Sequence, residues 1–235
     1  MKKQVTLKLN RKLYNDFIEG DYKTIEIVGA MVYEKAYQNI YNIEMNIDKN
    51  KQYGEGDFIV IFVKEAKKSH VTVEVKKATI HDDIIKGVLD IRYLDKDLKE
   101  PKEQGIHGDK GWLLTLLSDE LMYHVVVDGK IYFYVIHNFQ TVKENLIKTV
   151  EMDDRKYNLM NSYGKELRNN CYKKANKELE TKDKPYNYYI QPDPKKDDEI
   201  FKQTLCLALH LDKYFSGLAT RRNLDIIELD IEIIN

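Results

Sequence analysis

Apolar and polar residues alternate over residues 4–9 (QVTLKL), the period of a half-buried strand. At Asn10 the spacing changes. Asn10 is a suitable N-cap for a short helix ending at Gly20, and Asp21 for a longer one whose apolar face is Ile25, Val28, Val32 and Ala36. Residues 42–56 read as a short edge strand and a loop. Two apolar runs follow within GDFIVIFVKEAKKSHVTVEVKK, residues 56–77, joined by a charged turn. With the tip between Glu65 and Lys67, opposed positions sum to about 131 to 133, so Asp57 lies across from positions 74 to 76. Glu74 and Lys76 share one side of their strand, and Val73 and Val75 take the other. Folding of this hairpin alone brings two carboxylates and an ammonium together.

Downstream, HDDIIKGVLDIRYLDKD has mixed helical spacing, and a polar loop leads to Trp112. LMYHVVV and KIYFYVI are strongly β-prone and are joined by Asp128-Gly129, the best short hairpin signal in the chain. Asn138 is placed to cap a helix through Ile147. Residues 151–178 read as a basic, Tyr-rich helix, 181–198 as a loop with three prolines, and Glu199–Phe215 as a strongly apolar helix. The end, LDIIELDIEII, alternates like a strand. The expected fold is α/β: a central mixed β-sheet flanked by helices over residues 1–150, with a mainly helical C-terminal extension over 151–235. Either the extension packs on the core as one domain or it forms a small second domain.

The 235 residues suffice for a large core, and 43% hydrophobic with a third charged is ordinary for a globular chain. A net charge of −1 gives no global attraction to nucleic acid or membrane, so any such partner must meet a local patch. No apolar run has the length of a membrane span, and the two N-terminal lysines precede no apolar segment of a secretory signal. Two cysteines are too few for a disulfide framework. A cytoplasmic location is expected. Abundant Lys, Asn, Ile and Tyr with six Arg suggest an AT-rich genome, bacterial or that of a virus in a bacterial cell.

Two carboxylates on adjacent strands make a hard oxygen site suited to Mg²⁺, with Mn²⁺ as a substitute. Close carboxylates repel, and a bound cation resolves that repulsion. Lys76 is placed to orient or deprotonate a water, or to steady charge on a phosphate. Asp57, followed 17 positions later by Glu74-Val75-Lys76 on a hairpin, resembles the PD-(D/E)XK phosphodiesterase superfamily, with its restriction-endonuclease-like fold. The preceding helix carries Glu34, where many members place an additional acid; Glu26 is the second choice. The stretch from Gly108 to Leu146 is similar to the second half of that fold. The resemblance covers roughly residues 21–150, leaves the last third unmatched, and departs where Gly56 stands in place of proline. It implies a Mg²⁺-dependent deoxyribonuclease, an endonuclease ahead of an exonuclease, with RNA a weaker choice of substrate. Asp57 and Glu74 would hold the metal, Lys76 would assist the attacking water and Glu34 would support the site.

Plainer readings compete. Glu74 and Lys76 would serve as a surface ion pair, Asp57 as a turn residue and Glu34 as a solvated helix acid. The six histidines lack the spacing of a metal site, and neither a nucleophile elbow nor a Gly-rich phosphate loop is present. For nucleic acid, Lys64, Lys67 and Lys68 decorate the hairpin tip, and Lys165, Arg168 and Tyr172 fall on one predicted helix face. The alternative function is a catalytically silent factor of the same fold, binding DNA or protein in phage–host conflict. A homodimer is the further partner considered.

Overall fold

The alternation at the start of the chain becomes strand β1 (Lys2–Asn10), with Val5, Leu7 and Leu9 buried. Asn10 caps helix α1 (Arg11–Glu19) by accepting from the Leu13 amide at 2.9 Å, and Gly20 closes that helix in the left-handed conformation. Asp21 then accepts from the amide and hydroxyl of Thr24, both at 2.8 Å, and starts α2 (Tyr22–Ala36). The computed structural model describes residues 1–46, 56–64, 67–95, 109–151, 184–194, 200–217 and 221–234.

The following elements are β2 (Ile40–Met45), β3 (Phe58–Lys64), β4 (Lys67–Lys77), β5 (Thr79–His81), β6 (Ile84–Asp95), β7 (Asp109–Lys110), α3 (Trp112–Thr115), β8 (Glu120–Val127) and β9 (Lys130–Ile136). The chain continues through α4 (Phe139–Glu151), β10 (Tyr186–Pro194), β11 (Ile200–His210), α5 (Leu211–Tyr214) and β12 (Leu224–Ile234). Seven strands form a mixed sheet in the order β1-β12-β9-β8-β4-β3-β2. Within it β1–β12 and β4–β8 are parallel, and the other neighbours antiparallel. The fold is therefore α/β with a large mixed sheet. No described helix is long and apolar enough to cross a membrane.

Two compact units result. The first comprises residues 1–85, 116–140 and 215–235; the second comprises 86–115 and 141–214. In the first, Val28, Val32, Phe58, Val60, Val73, Val75, Met122, Phe133 and Val135 form one buried cluster. Each such side chain contributes about 1.5–3 kcal/mol relative to exposure, which fixes the hairpin register against slippage. Phe58 lies opposite Val73 and Lys64 opposite Lys67, within the register expected from the sequence. Asp128 and Gly129 both have positive φ, as a tight β8–β9 turn requires.

The second unit holds most of the departures. Residues 84–95 form strand β6 instead of a helix; Gly87, Leu89 and Ile91 alternate into the interior, and β11 pairs with residues 86–95 across one bulge. The turn before it is made by Asp82 and Asp83, both at positive φ, a role Asp tolerates. The expected helix over Glu199–Phe215 is strand β11 followed by the one-turn α5. β11 lies between β10 and β6, and its residues 206–210 are all buried, so its apolar run has no strand period to read. The expected Pro-rich loop contains β10, whose prolines are accommodated because this is an edge strand. What is described of the last third is thus mainly strand, and β12 returns to the first unit's sheet instead of joining an extension that starts at 151. The expected helix over 151–178 lies outside the described residues, apart from Glu151 at the end of α4. Asn138 sits at φ 51°, not in the extended geometry of a cap; the first amide of α4 instead donates to the Asp119 carbonyl at 2.7 Å.

Candidate active site

Strand β3 begins opposite Val73, and β4 continues to Lys77, so residues 74–77 extend past the last β3 pair. Asp57, just before β3, fills part of that notch. Its amide donates to the Val73 carbonyl at 2.8 Å, and its Oδ2 accepts from the Val75 amide at 2.7 Å. A carboxylate thus takes the acceptor place that a longer strand would fill with a carbonyl. Gly56 permits the bend: its φ is +77°, and a Cβ there would stand 2.7 Å from both the Val73 carbonyl oxygen and Ser118 Oγ. Proline, with φ fixed near about −65°, cannot occupy this conformation. Asn46 ties the bend down, its amide donating to the Asp57 carbonyl at 2.9 Å and its Nδ2 to the Gly56 carbonyl at 3.2 Å.

Glu74 and Lys76 follow in the notch. Lys76 Nζ pairs with Glu74 Oε1, while Glu74 Oε2 is buried without a hydrogen-bond partner. Asp57 and Glu74 are each only 4% exposed. Helix α2 brings a third acid. Gly29 lets the helix lie against Val75 and Met122, where an added Cβ would stand 3.4 and 3.6 Å from their side chains. Glu26, one turn earlier and half-buried, then acts electrostatically on Asp57, Glu74 and Lys76.

Burial pushes the Glu74 carboxyl up to about 7 against the pull of Lys76, and the charges of Asp57 and Glu26 add to the rise. Burial, then the charge of Asp57, pushes Glu26 up to about 7 as well. Asp57 is raised by burial, although the Val75 amide, Lys76 and a hydrogen bond with the Glu26 carboxyl act the other way. Burial works to lower Lys76, but Glu74, Asp57 and Glu26 outweigh it, so the ammonium is held protonated.

Among the described residues, no three His, Cys, Asp or Glu side chains form a group that could hold a metal ion in the present arrangement. Mg²⁺ asks for less: one or two carboxylates and several waters. Two buried carboxylates, an unpartnered Glu74 oxygen and raised acid pKa values are a donor set that suits such a cation.

The structure brings together three of the four residues expected at the site. Glu34 is exposed on α2, eight residues beyond Glu26 and so about 12 Å along the helix axis, and the third acid is Glu26 instead. Glu26 shares its side of the helix with Gly29 and Tyr33, i+3 and i+7, both buried. Lys64, Lys67 and Lys68 are exposed at the hairpin tip, and Lys68 Nζ lies 4.9 Å from the Tyr41 ring centroid. Lys165, Arg168 and Tyr172 lie outside the described residues. His124 is buried between Phe17 and Phe133, and burial, reinforced by Lys77, lowers it to about 4, a neutral core imidazole.

A second polar cluster sits in the same unit. Tyr33 Oη donates to Glu120 Oε2 at 2.8 Å, and the other Glu120 oxygen is 2.8 Å from His137 Nδ1. His137 Nε2 is 3.3 Å from Asp225 Oδ2, which also accepts from Tyr37 at 3.1 Å and pairs with Lys3 at 2.9 Å. The Met1 amine donates to Asp225 Oδ1 at 2.8 Å. Burial opposes ionisation of Asp225, but these partners outweigh it and hold the carboxyl well below the usual range. Burial likewise disfavours the His137 cation, and Glu120 and Asp225 reverse this and raise it.

No protein-family model matches the chain, and comparison with curated proteins and with solved structures finds no match.

Proposed function

We propose that the notch at the edge of β4 is the centre of a Mg²⁺-dependent phosphodiesterase that cuts DNA, built on a restriction-endonuclease-like core of the PD-(D/E)XK kind. The observation that carries this reading is the convergence of Asp57, Glu74 and Lys76 at one strand edge, with a buried Glu74 oxygen left unpartnered. Asp57 and Glu74 would hold the metal, which when bound polarises a phosphoryl oxygen and supplies a nucleophile near neutral pH. The Val75 amide fixes the Asp57 carboxylate, so its direction is set before any ligand arrives. Lys76, held protonated, donates toward the charge that develops on the phosphate and orients the attacking water. Glu26 takes the supporting place expected of Glu34: with a pKa of about 7 it can accept and return a proton near neutral pH.

The test is cleavage of labelled single- and double-stranded DNA, with RNA in parallel, in Mg²⁺ or Mn²⁺. Asp57→Ala and Lys76→Ala should each cut about 10²–10⁴-fold more slowly than wild type. Glu26→Gln should lose activity where Glu34→Ala keeps it. Wild-type cleavage no better than that of the Asp57 and Lys76 variants removes the proposal; DNA retained without cutting would favour the silent binding factor.

A further inference from the structure

Helix α2 presents an aromatic ring one turn from Glu26. Tyr22, its first residue, is 60% exposed, and Lys77 Nζ lies 4.2 Å from the ring centroid. The same ammonium donates to the Gly20 carbonyl, and a Cβ on Gly20 would stand 2.8 Å from it, so the junction of α1 and α2 is shaped around this lysine. Tyr22 and Glu26 are i and i+4 on one helix face, with Cβ atoms about 5–6 Å apart. Lys77 directly follows Lys76 and so takes the side of β4 that Val73 and Val75 share, the side on which α2 packs. An exposed tyrosine by itself means little. One that is pinned by an ammonium and stands one turn from an acid of the site is a placed group.

A ring fixed in this way offers a π-face to a nucleobase, and the ammonium beneath it offers a charge to the adjoining phosphate. A stacked base must leave its own duplex stack, because a paired base has both faces covered by its neighbours. The far end of β4 repeats the chemistry. Tyr41, 66% exposed, carries Lys68 over its ring, with Lys64 and Lys67 beside it. From Lys68 to Lys77 is nine strand residues, about 30 Å.

We propose that Tyr22, clamped by Lys77, is a stacking platform for the base next to the scissile phosphate, and that the substrate is single-stranded at that point, as a free strand or a frayed end. This rests on the phosphodiesterase reading for its place beside the reacting phosphate, but strand binding can be measured without cleavage. The probe is a fluorescein-labelled dodecathymidylate, with a 12-base-pair duplex as comparison, followed by anisotropy in EDTA. Tyr22→Ala should weaken single-strand binding by about 5- to 150-fold, Tyr22→Phe should restore it to within about twofold, and duplex binding should change less than either. Since Tyr22 is exposed, its variants leave the core intact, and circular dichroism checks this. In Mg²⁺, the same Tyr22→Ala substitution should slow cutting of the single strand while cutting of an oligomer with abasic residues at the cleaved step is unchanged. Failure of wild type to bind the single strand, or binding by Tyr22→Ala within twofold of wild type, overturns the proposal. If Tyr22→Ala loses binding and wild type cuts nothing, the platform stands as a strand-binding site and the nuclease reading falls.

Discussion

Around Asp225, one carboxylate meets the Met1 amine, Lys3, His137 and Tyr37, and is held well below the usual carboxylate range. Around Lys76, three carboxyls converge, two of them pushed up to about 7 and the third also raised. Both groups lie in the first unit, and α2 serves both, Glu26 at one and Tyr33 at the other. The Asp225 cluster finds its counter-charges within the chain, so it stabilises the fold. The Glu74 cluster does not: ionising that carboxyl, raised from 4.5 to about 7, costs about 3 kcal/mol. Buried charge left under-compensated by the protein is where an external cation has most to offer, at the expense of stability.

Four measurements test this contrast. Asp225→Ala should lower stability by about 3–5 kcal/mol in urea unfolding, because it removes a buried acceptor shared by the Met1 amine, Lys3, His137 and Tyr37; a loss under about 1 kcal/mol would show the cluster to be ornamental. Gly56→Ala forces a side chain into a left-handed bend against the Val73 carbonyl, and should cost about 1–3 kcal/mol. Its near- and far-ultraviolet circular dichroism need not change, so unfolding midpoints are the readout.

The third uses pH. Glu26 and Glu74 have folded pKa values raised from 4.5 to about 7, so the stability tied to them is present below 4.5 and lost as pH rises through 7. Mg²⁺ should therefore raise the thermal midpoint at about pH 8, by the equivalent of about 1.4 kcal/mol at ten times its Kd, and have little effect at about pH 5. Equal shifts at both pH values would place any bound ion elsewhere. The smallest effect is expected of Glu26→Gln: a gain of about 1 kcal/mol at about pH 8, kept small by solvent screening, from relief of burying its charge and then of repulsion with Asp57, and none below pH 4.5. A loss at high pH would show that Glu26 belongs to a balanced group after all.

Much of the first unit was legible in the chain. Asn10, Asp21 and Gly20 punctuate the helices by local chemistry, Asp128-Gly129 sets a turn, and the hairpin register follows from alternation. These are short-range effects, readable within a few residues. Asp57, Glu74 and Lys76 were legible for the same reason, since one hairpin carries all three. The resemblance points to Glu34, but choosing between two acids on a helix depends on which turn approaches the sheet, and Gly29 decides that by packing on Val75 and Met122. In the Tyr33–Glu120–His137–Asp225 network, Glu120 and His137 face each other at the base of the β8–β9 hairpin, but Tyr33 and Asp225 come from remote segments and left no local trace.

What the sequence determined by itself is a hairpin that folds two acids and a lysine together, with the caps and turns that lead into it. Tertiary structure decided which helix acid joins them, that the run over 200–210 is a strand, and that β12 closes the first sheet beside β1. The physical reason is range: caps, turns and alternation act over one to four residues, whereas a buried apolar strand or a third carboxylate takes its role from neighbours remote in the chain.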